Sequence, residues 1–301
     1  YRLIFEATHD GVCVVQDWRF RVVNPGFCQL LGYRPDELIG RNLLDTVIED
    51  DHELIKSNHA LRLRGGHDQL MYAVRMVSKS QGMRWVEVGG RRIEWDGRTA
   101  TLNFVRDIHE RREAEERIRN LAFRDALTDL PNRRALEHDL LAAMRRQARE
   151  QRWGGLLFMD LDQFKPLNDT HGHDVGDRLL MEVAKRLNVH VRRSDTVARF
   201  GGDEFVVLLT NLDGDEAVAR QQMERIAHEI LAAITEPYTL PVGNDGRSVE
   251  HRCSTSIGAV MFMGNAVGVD AMMKAADEAM YSAKQSGGNS VAFAEMRTAA
   301  L

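Results

Sequence analysis

The chain has 301 residues, 44% hydrophobic and 28% charged, with a formal net charge of −5; this globular composition excludes a long disordered chain and a general basic face for a nucleic-acid polymer. At roughly 100 to 200 residues per domain the length predicts two domains. Cys13, Cys28 and Cys253 are few, odd in number and far apart, which indicates neither a disulfide framework nor a zinc site and suits a reducing cytoplasm.

Residues 1–106 alternate short period-2 segments, GVCVVQ, FRVVN, MYAVRMVS, RWVEVGGRRIEW and RTATLNFVRD, with a polar-apolar stretch from Pro25 to Gly40. Glycine turns between such segments predict an antiparallel sheet with helices on one side, a small α+β domain. Cys28 reads as a packed helix thiol, His52 and His59 as surface histidines rather than haem ligands, and Met71, Met76, Trp85 and Trp95 as core or interface residues.

Residues 107–124 change character. IHERREAEERIRNLA is dense in charge and free of Gly and Pro; Glu113 with Arg117 and Glu115 with Arg119 are spaced for i,i+4 pairs. Ile108, Ile118 and Leu121 give only a thin apolar stripe, so a solvated linker helix is the stronger expectation and a short parallel coiled coil between two copies the sharper alternative.

Residues 125–301 change period again. GLLFMDLD (155–162) predicts a buried strand ending in acids, and Leu180, Val183, Ala184, Leu187 and Val191 mark a helix face. ARF and FVVLL flank a turn; Met223, Ile226, Ala227, Ile230 and Leu231 mark a second helix; CSTSIGAVMF, AMMKAADEAMYSAKQ and SVAF give a strand, a third helix and a last strand. The order β-α-β-β-α-β predicts a ferredoxin-like sheet with helices on one face.

In that arrangement Asp160 lies beside the hairpin carrying Asp203 and Glu204, so three carboxylates converge. Their mutual repulsion asks for a hard cation, and Mg²⁺ held by one or two carboxylates completes its shell with phosphate oxygens, which points to a nucleoside triphosphate. Gly201 and Gly202 permit a tight hairpin and close approach of a ligand. Taken alone, a Gly-Gly turn with two solvated acids would remain the better reading.

The pentapeptide does not stand alone. DALTDLPNRR (125–134), MDLDQFKPLNDTHGHDVGD (159–177) and RRSDTVARFGGDEF (192–205) together resemble the GGDEF family of diguanylate cyclases over residues 125–294. The resemblance implies that Asp160, the main-chain carbonyl of Leu161 and Asp203 bind metal, two Mg²⁺ ions per active site, that Glu204 helps hold the second metal or assists deprotonation of the attacking hydroxyl, and that Asp203 and Glu204 are the catalytic pair. It places Phe164, Lys165 and Lys284 at the phosphates and Asn168 and Asp177 at guanine; a carboxylate accepts from guanine N1 and N2, a donor edge that adenine lacks. GTP would be the substrate, cyclic di-GMP the product, and a homodimer the active form, since each domain holds one GTP. Arg192 and Asp195 match the family's RxxD site for inhibition by product.

One position departs from the pattern. Gly288 stands where the family commonly has a phosphate-binding arginine, a loss of about 1.5 to 3 kcal/mol if the contact matters in the transition state; Arg199 or an adjacent basic side chain is a candidate to compensate.

The first domain resembles a PAS sensor domain through THDGVCVVQ, VNPGFCQLLGYRPDELIGRN and GRTATLNFVRDIHERREAE, with His109 where the usual exit motif has threonine. The resemblance implies control of the cyclase through the linker helix by an unidentified ligand or signal. The expected organisation is therefore a PAS-like domain at 1–106, a linker helix at 107–124 and a cyclase domain at 125–301. Two other readings compete: a module that binds GTP or cyclic di-GMP to regulate an attached domain, and a dimerising PAS adaptor. With no secretory signal and no run of about 18 apolar residues, the segment is expected to be cytoplasmic. Starting at Tyr1, it leaves room for an anchor before it or a phosphodiesterase domain after it.

Overall fold

The computed structural model describes residues 2–64, 71–243, 247–264 and 267–294. The chain divides into two units, Tyr1–Arg117 and Ile118–Leu301.

The first unit opens with α1 (Arg2–Ala7), β1 (Gly11–Gln16) and β2 (Arg19–Val23). Helix α2 (Pro25–Leu31) follows; Asn24 caps it by accepting from the Phe27 amide, Pro25 supplies a ready helical φ, and Gly32 ends it at φ 70°. Then come α3 (Pro35–Leu38), α4 (His52–Leu63) and the strands β3 (Tyr72–Ser78), β4 (Gly82–Trp95) and β5 (Arg98–Asp107). The sheet runs β2-β1-β5-β4-β3, antiparallel throughout. Phe20, Phe27, Leu31, Leu38, Val74 and Val86 are fully buried against it. Cys28 is packed in α2 as expected, and Met76 belongs to the core, whereas Met71 is exposed.

His59 is not a surface histidine. It is buried and packs against Trp18 with ring centroids 4.5 Å apart and the planes tilted by 46°, while His52 is half-buried with Nε2 against the Leu44 and Val47 carbonyls. The inward face of α4 is built from Ile55, Asn58, His59 and Arg62, a helical spacing of mostly polar residues that apolar periodicity does not reveal.

Helix α5 (His109–Phe123) crosses the division between the units. It has no buried residue, and Ile118 and Leu121 are exposed. Its charges pair along the helix, Glu113 with Arg117 at 4.0 Å, but Glu115 pairs with Arg111 at 2.8 Å rather than with Arg119.

The second unit contains α6 (Arg133–Glu150), β6 (Gly154–Asp162), α7 (Phe164–His171), α8 (His173–His190), β7 (Thr196–Gly201), β8 (Glu204–Leu209), α9 (Glu216–Thr235), β9 (Tyr238–Val242), β10 (Arg247–His251), β11 (Ser254–Phe262), α10 (Val269–Gln285) and β12 (Val291–Ala294). The main sheet is ordered β12-β11-β6-β8-β7, so β6-α8-β7-β8-α9-β11 is the expected ferredoxin-like core. Strand β12 extends it in parallel beside β11, and β9 and β10 form a separate hairpin.

Helices cover both faces of this sheet, not one. Leu157, Met159 and Leu161 of β6 pack with α8 and α9, while Leu156 and Phe158 pack with α6 and α10. The unbroken apolar run of GLLFM is what a strand buried on both sides requires. Among the described residues no helix is long and apolar enough to cross a membrane. The segment after Ala294, where a following domain would attach, lies outside the described residues.

Candidate active site

The antiparallel register of β6 and β8 sets Asp160 directly opposite Glu204. The β7–β8 hairpin turns through Gly202 at φ 52°, and its Asp203 carbonyl accepts from the Leu161 amide at 3.2 Å. The strand end carrying Asp160 and Leu161 and the hairpin tip carrying Asp203 and Glu204 are thereby docked on each other.

Their electrostatics show the strain of that convergence. Burial pushes the Asp160 carboxyl above its ordinary range and Asp203 and Asp162 add to the push, with Lys284 opposing it. Burial likewise raises Glu204, with Asp160, Asp277 and Asp203 contributing. Lys284, in the last turn of α10, donates from Nζ to Asp160 Oδ1 at 2.5 Å. Among the described residues no group of three or more His, Cys, Asp or Glu side chains is placed to hold a metal ion. The donors nevertheless fit a hard cation: they are oxygens, they repel one another, and a lysine ammonium already sits against one of them.

Arg199 has a different task from the one the sequence offered it. Its Nη1 donates to Asp125 Oδ1 at 3.0 Å, and its Nε and Nη2 donate to the Gly202 carbonyl at 3.0 and 2.7 Å. The side chain is spent on tying the entry segment to the hairpin turn, so it does not compensate for Gly288. Burial works against the Asp125 carboxylate, but Thr128 and Arg199 outweigh it and hold the group below its usual range.

Asp162 is the residue that sequence reasoning missed. It accepts from Ser254 Oγ at 2.6 Å, Ser256 Oγ at 2.8 Å and the Asn289 amide at 3.1 Å, so it fastens the turn after α10 to β6 and β11. Its signal was the D-x-D spacing, which puts Asp162 on the same side of the strand as Asp160. Gly288 lies in this turn at φ 72°, and a Cβ there would stand 3.0 Å from Asp162 Oδ2. The backbone amides of Ser286, Gly287, Gly288 and Asn289 are all engaged, leaving Lys284 as the cation that this end of α10 presents.

The expected guanine residues lie on α7 and α8, which meet at Gly172 (φ 85°). Asn168 is half-buried with its Oδ1 unpartnered, and a side chain at Gly176 would overlap that oxygen. Asp177 and Lys165 are exposed and Phe164 is half-buried. At the far end of β7 and β8, about 20 Å away by strand rise, Asp195 accepts from the Arg192 amide at 3.1 Å and the Thr210 amide at 3.0 Å, while the Arg192 side chain is exposed.

The family model described as "Diguanylate cyclase, GGDEF domain" matches residues 122–290, and the chain belongs to that family. A PAS fold model matches residues 1–108. An uncharacterized signaling protein of Caulobacter vibrioides is 36% identical over 286 residues, 95% of this chain and 34% of its own length. The diguanylate cyclase DgcM of Escherichia coli K12 is 31% identical over 254 residues, 84% of this chain and 55% of its own. The chain thus spans from about a third to about half of these relatives' lengths. Among solved structures, the coiled coil and GGDEF domain of DgcB from Caulobacter crescentus, in complex with c-di-GMP, aligns with TM-score 0.53 at 26% identity, covering 62% of this chain and 93% of that one.

Proposed function

We propose that the chain is a diguanylate cyclase that condenses two GTP into cyclic di-GMP and pyrophosphate, with a PAS-like domain at 1–106, a linker helix at 107–124 and a cyclase domain at 125–301. The observation that carries the proposal is the docking of Asp203 and Glu204 beside Asp160, with two carboxyls raised by burial and by one another.

Asp160, the Leu161 carbonyl, Asp203 and Glu204 would hold Mg²⁺, two ions per site. The metal would supply charge neutralisation at the phosphates and acidify the attacking hydroxyl. Asn168 and Asp177 select guanine, while Phe164, Lys165 and Lys284 seat the triphosphate. The 3′ oxygen of each GTP attacks the α-phosphorus of the other, its proton passing toward Glu204; each attack breaks the bond to one pyrophosphate, so two phosphodiesters close the ring and two pyrophosphates leave. Each domain holds one GTP, so two copies must face each other. Arg192 and Asp195 bind product as a feedback site, and the PAS-like domain controls how the two cyclase domains meet.

The test is incubation of the purified chain with GTP and Mg²⁺ after bound nucleotide has been stripped. Cyclic di-GMP should form, and Asp203→Ala should abolish it with the fold intact. Wild-type turnover in that variant would refute the site assignment. The second reading, a module that binds GTP or cyclic di-GMP to regulate an attached domain, is favoured by Gly288, which removes a phosphate ligand; it predicts binding without turnover in the same assay.

A further inference from the structure

Lys284 is committed to a carboxylate at the very point where a metal would bind. Its Nζ lies 2.5 Å from Asp160 Oδ1, across a separation of 124 residues. The Asp160 side chain is only 13% exposed and Lys284 is 43% exposed. The ammonium therefore lies at the mouth of the acid cluster, with one end against Asp160 and an open side toward solvent.

A divalent cation on Asp160 cannot share that oxygen with an ammonium without like-charge repulsion. A triphosphate arriving with the metal changes the balance, because its oxygens offer the lysine an equivalent anionic partner within the sweep of a flexible four-carbon stem. The turn beyond α10 has no competing cation or spare amide for those oxygens, since Gly288 has no side chain and the amides from Ser286 to Asn289 are engaged.

We infer that Lys284 is an exchangeable counter-ion: it neutralises Asp160 when the site is empty and moves to the nucleotide phosphates when metal takes the carboxylate. Metal and nucleotide then bind as mutually dependent ligands, and metal alone binds weakly. The coupling is reciprocal by thermodynamic necessity. This rests on the proposed metal and triphosphate site.

The experiment uses Mn²⁺ as the probe and the full chain stripped of nucleotide. Mn²⁺ alone is titrated into wild type, Lys284→Met and Asp203→Asn by electron paramagnetic resonance. The affinity of a GTP analogue with a non-cleavable α–β bridge is then measured at saturating Mn²⁺. Lys284→Met is expected to bind Mn²⁺ alone about tenfold more tightly, the order set by removing a partly screened like charge, and the analogue about tenfold more weakly.

A purely structural role would weaken both affinities, and that result overturns the inference. Equal Mn²⁺ affinity in wild type and Lys284→Met also overturns it, while leaving the metal site standing provided Asp203→Asn binds less Mn²⁺ than wild type. If Asp203→Asn binds like wild type, or if no variant binds Mn²⁺ with or without the analogue, the metal site itself fails and the inference falls with it. Should Lys284→Met not fold, Lys284→Gln gives the same comparison with a polar side chain.

Discussion

Arg199 joins Asp125, at 3.0 Å, to the Gly202 carbonyl, at 2.7 Å. One side chain thus connects the first residue of the DALTDLPNRR segment to the turn that presents Asp203, and the Arg199 amide adds a bond to the Pro131 carbonyl at 3.0 Å. The pair is largely buried, with side-chain exposures of 12% and 23%, so removing one partner strands the other. Arg199→Ala is expected to lose about 1 to 3 kcal/mol of stability and, by loosening the turn, to lower turnover more than it raises the KM for GTP. Thermal melts and steady-state kinetics on the same preparations check both.

The same contact sets a pH dependence. Asp125 is held below its ordinary value of 3.8, so the unfolded chain binds the proton first as pH falls. The stability that the ion pair contributes is fully present above that ordinary value and is lost as pH falls through the lower folded one. In urea melts the difference between wild type and Asp125→Asn should be constant from neutral pH down to about pH 5 and shrink below pH 4. A gap that widens on acidification would reverse the assigned sign.

The α+β class, the ferredoxin-like order and the pairing of the strand that ends at Asp160 with the hairpin that carries Asp203 and Glu204 were legible in the sequence, because strand periodicity and one dense motif carry them. Other parts were not. The helices on the second face were hidden because a strand buried on both sides has no period, and the inward face of α4 because Asn58, His59 and Arg62 are polar. Asp162 and Arg199 escaped because what they do depends on partners distant in the chain, Ser254 and Asn289 for one and Asp125 for the other. The motif marks the acids proposed for the chemistry but not the groups that hold them in place.

Gly288 illustrates the difference. Inserting the family's common arginine by Gly288→Arg places a side chain at φ 72° with its Cβ 3.0 Å from Asp162 Oδ2. The left-handed backbone costs an L-residue about 1 to 2 kcal/mol, and the contact presses on the carboxylate that fastens the turn. The variant should melt lower than wild type and gain no GTP affinity. A gain in kcat/KM at an unchanged melting temperature would show that the turn accommodates the arginine and that its charge was the missing element.

At the hairpin, Asp203→Asn removes one of the charges that push on Asp160 and Glu204. Without metal the variant should therefore melt no lower than wild type, although its cyclase activity is lost. Adding Mg²⁺ with a GTP analogue should raise the wild-type melting temperature and leave the variant's nearly unchanged, since a ligand stabilises only the state that binds it. Equal shifts in both proteins would remove Asp203 from the metal site.

Arg192 and Asp195 separate in a similar way, because the structure gives them unequal structural duties. The Asp195 carboxylate accepts from the Arg192 and Thr210 amides and so closes the turn before β7 onto the end of β8; the exposed Arg192 side chain closes nothing. Arg192→Ala should relieve inhibition by added cyclic di-GMP without moving the melting temperature. Asp195→Ala should also relieve inhibition but cost about 1 to 2 kcal/mol of stability through the two amides it strands. Inhibition curves for the two variants, measured with melts on the same samples, distinguish a product site from a surface charge cluster, since a cluster without ligand would leave the Arg192→Ala curve where wild type has it.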